Sequence, residues 1–208
     1  MEHKEISRAT LGRLPIYLDY LKTLPATVTH ISATAIAKAL HLGEVQVRKD
    51  LGAVSGAGRP KVGYSVEELT GCLQRLLSEG SGMAVIVGAG RLGRALLDYS
   101  GFSDYGLSIV AAFDRAMKEP AASPVGKPIL PMERLDGFCA EHAVKIGVIT
   151  VPAVDAQSVC DRLYACGIRA FWCFAPCRLT LPEDAVAQYE NMALSLAHLN
   201  MQLQPERA

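Results

Sequence analysis

The chain has 208 residues, is half hydrophobic and one-fifth charged, and balances 21 Lys and Arg against 21 Asp and Glu. Such a composition buries a real core, which excludes an intrinsically disordered chain, and the length suits one or two small domains. No apolar run approaches the ~20 residues that span a bilayer. The start Met1-Glu2-His3-Lys4-Glu5 has no apolar segment behind it, so a cytoplasmic protein without a signal peptide is expected.

Residues 6–24 read as a helix, with Leu11, Leu14, Leu18 and Leu21 at three- and four-residue spacing; Pro15 inside the pattern means that the helix starts or kinks there. Ser32 is a good N-cap for a short helix that turns Ile36, Ala37 and Leu40 inward. Leu42-Gly43 makes a tight turn into a second short helix over residues 44–54. That helix directs Val45, Val47 and Leu51 to the core and leaves Gln46, Arg48, Lys49 and Asp50 largely on other faces. Two short helices joined by a Gly-containing turn, the second presenting Gln and basic side chains, make a helix-turn-helix. The second helix of that motif lies in the major groove, where Gln reads adenine and Arg reads guanine.

The Gly-rich basic loop 55–64 ends in a Val/Tyr strand signal. It reads as the wing of a winged helix, with Arg59 and Lys61 available to a phosphate or a minor groove. Residues 66–77 form a further amphipathic helix, capped by Ser65 with Glu68 three residues on. Between residues 45 and 63, Arg48, Lys49, Arg59 and Lys61 face only Asp50, a local positive excess that fits a nucleic-acid surface. An ordinary solvated face, or a small helical interaction domain, is the plain alternative.

Gly80-Ser81-Gly82 reads as a linker. After it, Val85-Ile86-Val87 leads into Gly88-Ala89-Gly90-Arg91-Leu92-Gly93 and a helix-forming run. This is the strand, turn and helix start of a dinucleotide-binding unit: Gly88 permits the turn, Gly90 lets the backbone approach a pyrophosphate, and Gly93 lets helix pack on strand. The free N–H groups at the helix start receive the phosphate charge. A second apolar run, residues 107–113, ends at Asp114, about 20 residues past the last glycine, where a carboxylate binds the ribose hydroxyls of NAD. Arg115 directly after it would tolerate a 2′-phosphate, but Asp114 disfavours one, so NAD(H) is expected over NADP(H).

Residues 120–131 read as loop plus a short strand, and 132–142 as a helix. Residues 145–152 read as a buried strand whose C-terminal end reaches Thr150, Val151 and Pro152, where ligands sit in a doubly wound sheet. A helix over 153–166 ended by Gly167, a strand over 168–174 and a last apolar helix over 183–203 complete an alternating, mostly parallel sheet. Met192, Leu194, Leu196, Leu199, Met201 and Leu203 cover much of that last helix, so it needs a partner, and dimerisation is the natural one. The six cysteines read as buried thiols, with no His cluster to complete a zinc set, so no metal is expected. His142 and His198 sit in helices, no acid–base constellation stands beside the glycine motif and no substrate domain remains, so no catalytic residue and no enzyme is expected.

The order of these segments resembles the Rex family of redox-sensing transcriptional repressors. The resemblance is carried by Arg13-Leu14-Pro15-x-Tyr17, Gln46-Val47-Arg48-Lys49-Asp50-Leu51, Val62-Gly63-Tyr64, the glycine motif through Leu96, Ala111-Ala112-Phe113-Asp114, Val151-Pro152 and Phe174-Ala175-Pro176. It implies an α/β plus α architecture. A winged helix-turn-helix domain (1–80) would be followed by a Rossmann-like parallel-sheet domain (81–182) and a dimerisation helix (183–208) swapped into the partner subunit. It adds Phe174 and Pro176 to the cofactor contacts. It also implies a homodimer that binds NAD(H), holds a double-stranded inverted-repeat operator when NADH is scarce and releases it when NADH rises. The chain departs from the family pattern at Gly52-Ala53-Val54-Ser55, Pro60-Lys61, Asp19, Cys173 and Ala193. Those departures make a relative with an altered or lost dinucleotide response the alternative reading.

Overall fold

The computed structural model describes residues 6–56, 58–79 and 82–203. Gly80 and Ser81 of the expected linker, Ala57 of the expected wing and the charged start of the chain lie outside the described residues. Two compact units result: one runs to Ser81 and includes Ser103–Gly106, and the other comprises Gly82–Phe102 and the chain from Leu107.

In the first unit the apolar spacing of residues 6–24 becomes two helices, α1 (Arg8–Leu11) and α2 (Leu14–Thr23). Pro15 sits in the first turn of α2, where its missing N–H has no intrahelical partner to lose. The strand β1 (His30–Ile31) leads into α3 (Ala33–Ala39), whose cap Ser32 accepts a hydrogen bond from the Ala35 N–H at 3.1 Å. Next come α4 (Glu44–Ser55), β2 (Tyr64–Ser65), which pairs antiparallel with β1, and α5 (Val66–Glu79). Ser65 Oγ accepts from the Glu68 N–H at 3.3 Å. Leu14, Tyr17 and Leu18 of α2 meet Ile36 of α3, Val47 and Leu51 of α4, and Leu69 and Leu73 of α5 in one core.

Two expectations for α4 fail here. Val45 is 79% exposed and Asp50 is 1% exposed. Val45 and Val47 stand roughly 200° apart around a helix and cannot share a face, whereas 47, 50 and 51 can. Asp50 therefore points inward with the core, and what it meets there makes its burial stable.

The second unit opens with β3 (Gly82–Val87) and α6 (Arg91–Asp98); a 3-10 segment over Ser100–Tyr105, whose last residues belong to the first unit, leads on to β4 (Leu107–Asp114). The loop after β4 holds two short strands rather than one, β5 (Ala121–Ala122) and β6 (Pro128–Pro131). The expected helix over 132–142 is a 3-10 turn (Met132–Arg134) running into α7 (Leu135–Glu141). There follow β7 (Val144–Ile149), α8 (Ala153–Ala165), β8 (Ala170–Cys173), β9 (Val186–Tyr189) and α9 (Met192–Gln202).

The seven strands lie in the order β5-β6-β4-β3-β7-β8-β9, parallel throughout except for the β5–β6 pair. Leaving out β5 and counting the parallel strands in chain order, this is 3-2-1-4-5-6, the dinucleotide-binding order. Alternate β3 residues feed separate cores, Val85 and Val87 with Leu135, Cys160 and Leu163 of the helices, Ala84 and Ile86 with Leu97 of α6. A sheet covered on both faces explains why these strands read as continuous apolar runs.

The strand β9 corrects the single helix expected over 183–203. Val186-Ala187-Gln188-Tyr189 alternates outward and inward and pairs in parallel with β8, from Ala170↔Val186 to Cys173↔Tyr189. Asn191 then starts α9, its side chain accepting from the Leu194 N–H at 3.0 Å. Met192, Leu194, Leu196, Leu199 and Met201 are 56–70% exposed, and α9 buries none of its residues within the chain. Among the described residues no helix is long and apolar enough to cross a membrane.

Candidate functional site

The first unit carries a groove of about 980 Å³ between α4 and the loop before β2. All five residues expected to meet DNA line it: Gln46, Arg48 and Lys49 from α4, Arg59 and Lys61 from the loop. The loop closes as a tight turn, with the Val62 N–H donating to the Arg59 carbonyl at 3.2 Å and the Arg59 and Gly63 backbones exchanging hydrogen bonds at 2.9 Å. Pro60 takes the second position of this turn and Lys61 the third, at φ 65°, the pattern of a type II turn. Arg48 forms an ion pair with Glu44 one helical turn earlier.

Behind the groove lies a buried polar cluster that sequence reasoning missed. The Asp50 carboxylate accepts from Arg13 Nε (2.7 Å) and Nη2 (3.0 Å), Tyr17 OH (2.7 Å), Thr10 Oγ1 (3.0 Å) and Gln46 Nε2 (2.9 Å). Burial pushes this carboxyl up, but the hydrogen bonds from Arg13, Tyr17, Thr10 and Gln46 outweigh it and hold it at about 2. Burial, and then the Asp50 carboxylate, push the Tyr17 phenol up to about 12. Because a carboxylate only accepts, it is the amide NH₂ of Gln46 that faces Asp50, leaving Oε1 and the second N–H for a base edge.

The second unit carries a cavity of about 460 Å³ at the carboxyl ends of β3 and β7, the topological switch point of the sheet. Gly88, Gly90, Asp114, Thr150, Val151 and Pro152 line it. Gly88 stands at φ 105°, and a Cβ there would lie 2.9 Å from the Thr150 carbonyl. A Cβ on Gly93 would lie 2.0 Å from the Gly88 oxygen, whereas one on Gly90 would meet nothing within 4 Å. Two of the glycines thus allow the fold and the third leaves open space over the start of α6. Gly90 is the N-cap of that helix and no side chain caps it, so an anion would complete the first turn.

The surroundings of the turn are tied down. Thr150 Oγ1 donates to the Gly88 carbonyl at 2.7 Å, and the Gly88 N–H donates to the Phe113 carbonyl at 2.8 Å. Asp114 accepts from the Ala89 N–H (2.7 Å) and the Ala116 N–H (2.8 Å), one at each oxygen, and each oxygen keeps a lone pair for a ribose hydroxyl. Open space over Gly90, an uncapped helix start and an oriented carboxylate fit an adenine dinucleotide. Ala89 and Gly93 are buried, Leu92 is half-buried and Arg91 is exposed, all outside the cavity lining. Phe174 and Pro176 also fall outside it: Phe174 packs on Trp172, ring centroids 4.6 Å apart, and Pro176 is exposed.

Val87, Arg115, Met132, Asp155, Ser158, Val159 and Arg162 complete the lining without having been named from sequence as contacts to NAD(H). The spacing of 155, 158, 159 and 162 is one stripe of α8 and was the available signal. Of the six cysteines expected to be buried, Cys139, Cys160 and Cys173 are, whereas Cys72, Cys166 and Cys177 are only half-buried. Burial pushes the Cys160 thiol up to about 11 and the Cys166 thiol up to about 12. Among the described residues no group of three or more His, Cys, Asp or Glu could hold a metal ion.

Known proteins share this layout. The family model described as "Putative DNA-binding protein N-terminus" matches residues 5–52, and the one described as "CoA binding domain" matches residues 81–177. The redox-sensing transcriptional repressor Rex of Brevibacillus brevis is 35% identical over 200 residues, covering 95% of this chain and 97% of that protein. The chain belongs to the Rex family. The Rex protein of Bacteroides fragilis is 38% identical over 209 residues, covering 96% and 95%, and that of Desulforamulus reducens 36% over 205 residues, covering 98% of each. These Rex relatives are named as repressors and not as enzymes. The crystal structure of RSP in complex with β-NAD+ and operator DNA is 30% identical with a TM-score of 0.82, covering 95% of this chain and 92% of that one. RSP in complex with β-NADH gives the same TM-score at 29% identity, covering 96% and 95%.

Proposed function

We propose that this chain is a repressor of transcription that reads the NADH/NAD+ ratio. It binds a double-stranded, inverted-repeat operator through the groove of its first unit, binds NAD(H) in the cavity of its second, and leaves the operator when NADH binds. The observation that carries this reading is that one chain holds both sets of residues. Gln46, Arg48, Lys49, Arg59 and Lys61 share one groove, and Gly88, Gly90 and Asp114 share one cavity at a sheet switch point. The Rex relatives and the RSP complexes support it. Ala89, Arg91, Leu92 and Gly93 of the phosphate turn, with Phe174 and Pro176 after β8, are the further proposed cofactor contacts, although none of them lines the cavity.

The acting form is a homodimer in the cytoplasm, joined through α9, whose apolar side chains have no cover within the chain. Release is a population shift. NADH binds the dimer whose recognition helices miss the half-site spacing better than the dimer that matches it. A swing from mostly bound to mostly free takes a differential affinity of ~5 kcal/mol.

Fluorescence anisotropy tests this: a labelled fragment of the promoter region upstream of the chain's own gene is titrated with protein and then with NADH, NAD+ or NADPH. Binding that NADH reverses and NAD+ does not is expected. Binding indifferent to all three would replace this reading with a relative that has lost its dinucleotide response.

A further inference from the structure

Arg115 follows Asp114, and an arginine at that point ordinarily accommodates the 2′-phosphate of NADP. Here the guanidinium is already engaged: Arg115 Nη1 lies 3.2 Å from Asp155 Oδ1 and 3.1 Å from Oδ2. Asp155 stands in the first turn of α8, across the cavity mouth from the end of β4. The second guanidinium of the lining, Arg162, is likewise held, by Asp136 at 3.2 and 2.9 Å. Both cations of this lining are therefore paired, and Asp114 adds a further negative charge.

We propose that Asp155 is a specificity-determining residue of the dinucleotide cavity, which occupies Arg115 and so turns the site against a 2′-phosphate. The inference rests on the reading of this cavity as the NAD(H) site. A ribose hydroxyl needs only an acceptor, which Asp114 supplies. A phosphate dianion would have to take Arg115 from its partner and sit beside two carboxylates. The Arg115 side chain is 77% exposed, so the pair is weak, and the expected effect is a modest one that runs through how firmly Arg115 is held away from a 2′-phosphate. The same pair explains why an arginine beside the ribose acid does not mark this chain as an NADP(H) binder.

The test is calorimetric titration of the full chain with NADH and NADPH, in the wild type, Asp155→Asn and the double variant Asp155→Asn/Arg115→Ala. Asparagine keeps the shape and removes the charge. The ratio of NADPH to NADH affinity is expected to rise about three- to tenfold in Asp155→Asn and to return toward the wild-type ratio when Arg115 is also removed. An unchanged ratio in Asp155→Asn, or a gain that survives loss of Arg115, overturns the proposal while leaving the NAD(H) site intact. Failure of the wild type to bind NADH overturns the cavity reading itself, and this inference with it. A thermal melt of each variant confirms that the titrated protein is folded.

Discussion

Replacing Gly90 by valine separates the dinucleotide from the fold. Gly90 stands at φ −70° and ψ −167°, extended backbone open to any residue, and its Cβ would find no atom within 4 Å. Stability should then change by no more than about 0.5 kcal/mol, which is about 2 °C of melting temperature for a unit of this size. The same space is where a pyrophosphate would lie against the α6 amides. Holding it off by a branched side chain forfeits one or two charge-assisted hydrogen bonds of about 1.5–3 kcal/mol each, so NADH affinity should fall by at least about tenfold. Gly93→Ala is the contrasting variant. Its Cβ would lie 2.0 Å from the Gly88 oxygen, so backbone must move, and about 2 kcal/mol of stability should go with it. Calorimetric titration with NADH, operator anisotropy and a thermal melt read the three quantities. Wild-type NADH affinity in Gly90→Val would refute the site. A melt lowered as far as that of Gly93→Ala would refute the claim that the space is empty of structural duty.

Further outcomes follow from named residues. Lys49→Ala should lower the slope of log affinity against log salt by about 1, and Arg48→Ala should cost about 1–3 kcal/mol of operator binding and relax base preference, both seen by anisotropy across a salt series. Asp50→Asn leaves the Tyr17 hydroxyl buried without its charged acceptor and should cost about 3 kcal/mol in urea unfolding. The Asp50 carboxyl is held at about 2 in the folded chain, below its unfolded value, so its stabilisation is present above pH 4 and is lost as pH falls through 2. The wild-type melting temperature should therefore drop more steeply than that of Asp50→Asn across this window. Lys61→Gly should stabilise the first unit by about 1 kcal/mol in the same urea assay by relieving φ 65°, while weakening operator binding through the lost charge. Leu196→Glu should shift a dimer toward monomer in sedimentation, because it puts a charge on the uncovered apolar surface of α9.

The features legible in the amino-acid sequence are those set by neighbours in the chain. Gly88, Gly90 and Gly93 mark the phosphate turn because backbone dihedrals and close approach are local constraints, and Asp114 is found by counting along one strand. The Ser32 and Ser65 caps and the break at Pro15 are equally local, since each rests on a hydrogen bond within four residues or on the ring of one. A mostly parallel sheet was implicit in the alternation of apolar runs and helices up to residue 174, because such alternation builds parallel crossovers.

Only the tertiary structure decided the rest. Asp50 reads as a surface charge until Thr10, Arg13 and Tyr17, 33 to 40 residues earlier, are brought around it. Residues 186–189 carry an apolar pattern compatible with helix and with strand, and pairing with β8 decides between them. Arg115 reads as a side chain that would tolerate a 2′-phosphate, with only Asp114 against it, and the fold alone shows it paired with Asp155, 40 residues later. In each case the deciding energy comes from a partner distant in sequence, which spacing along the chain does not encode, whereas the glycines that mark the phosphate turn are picked out by the backbone geometry of the turn itself.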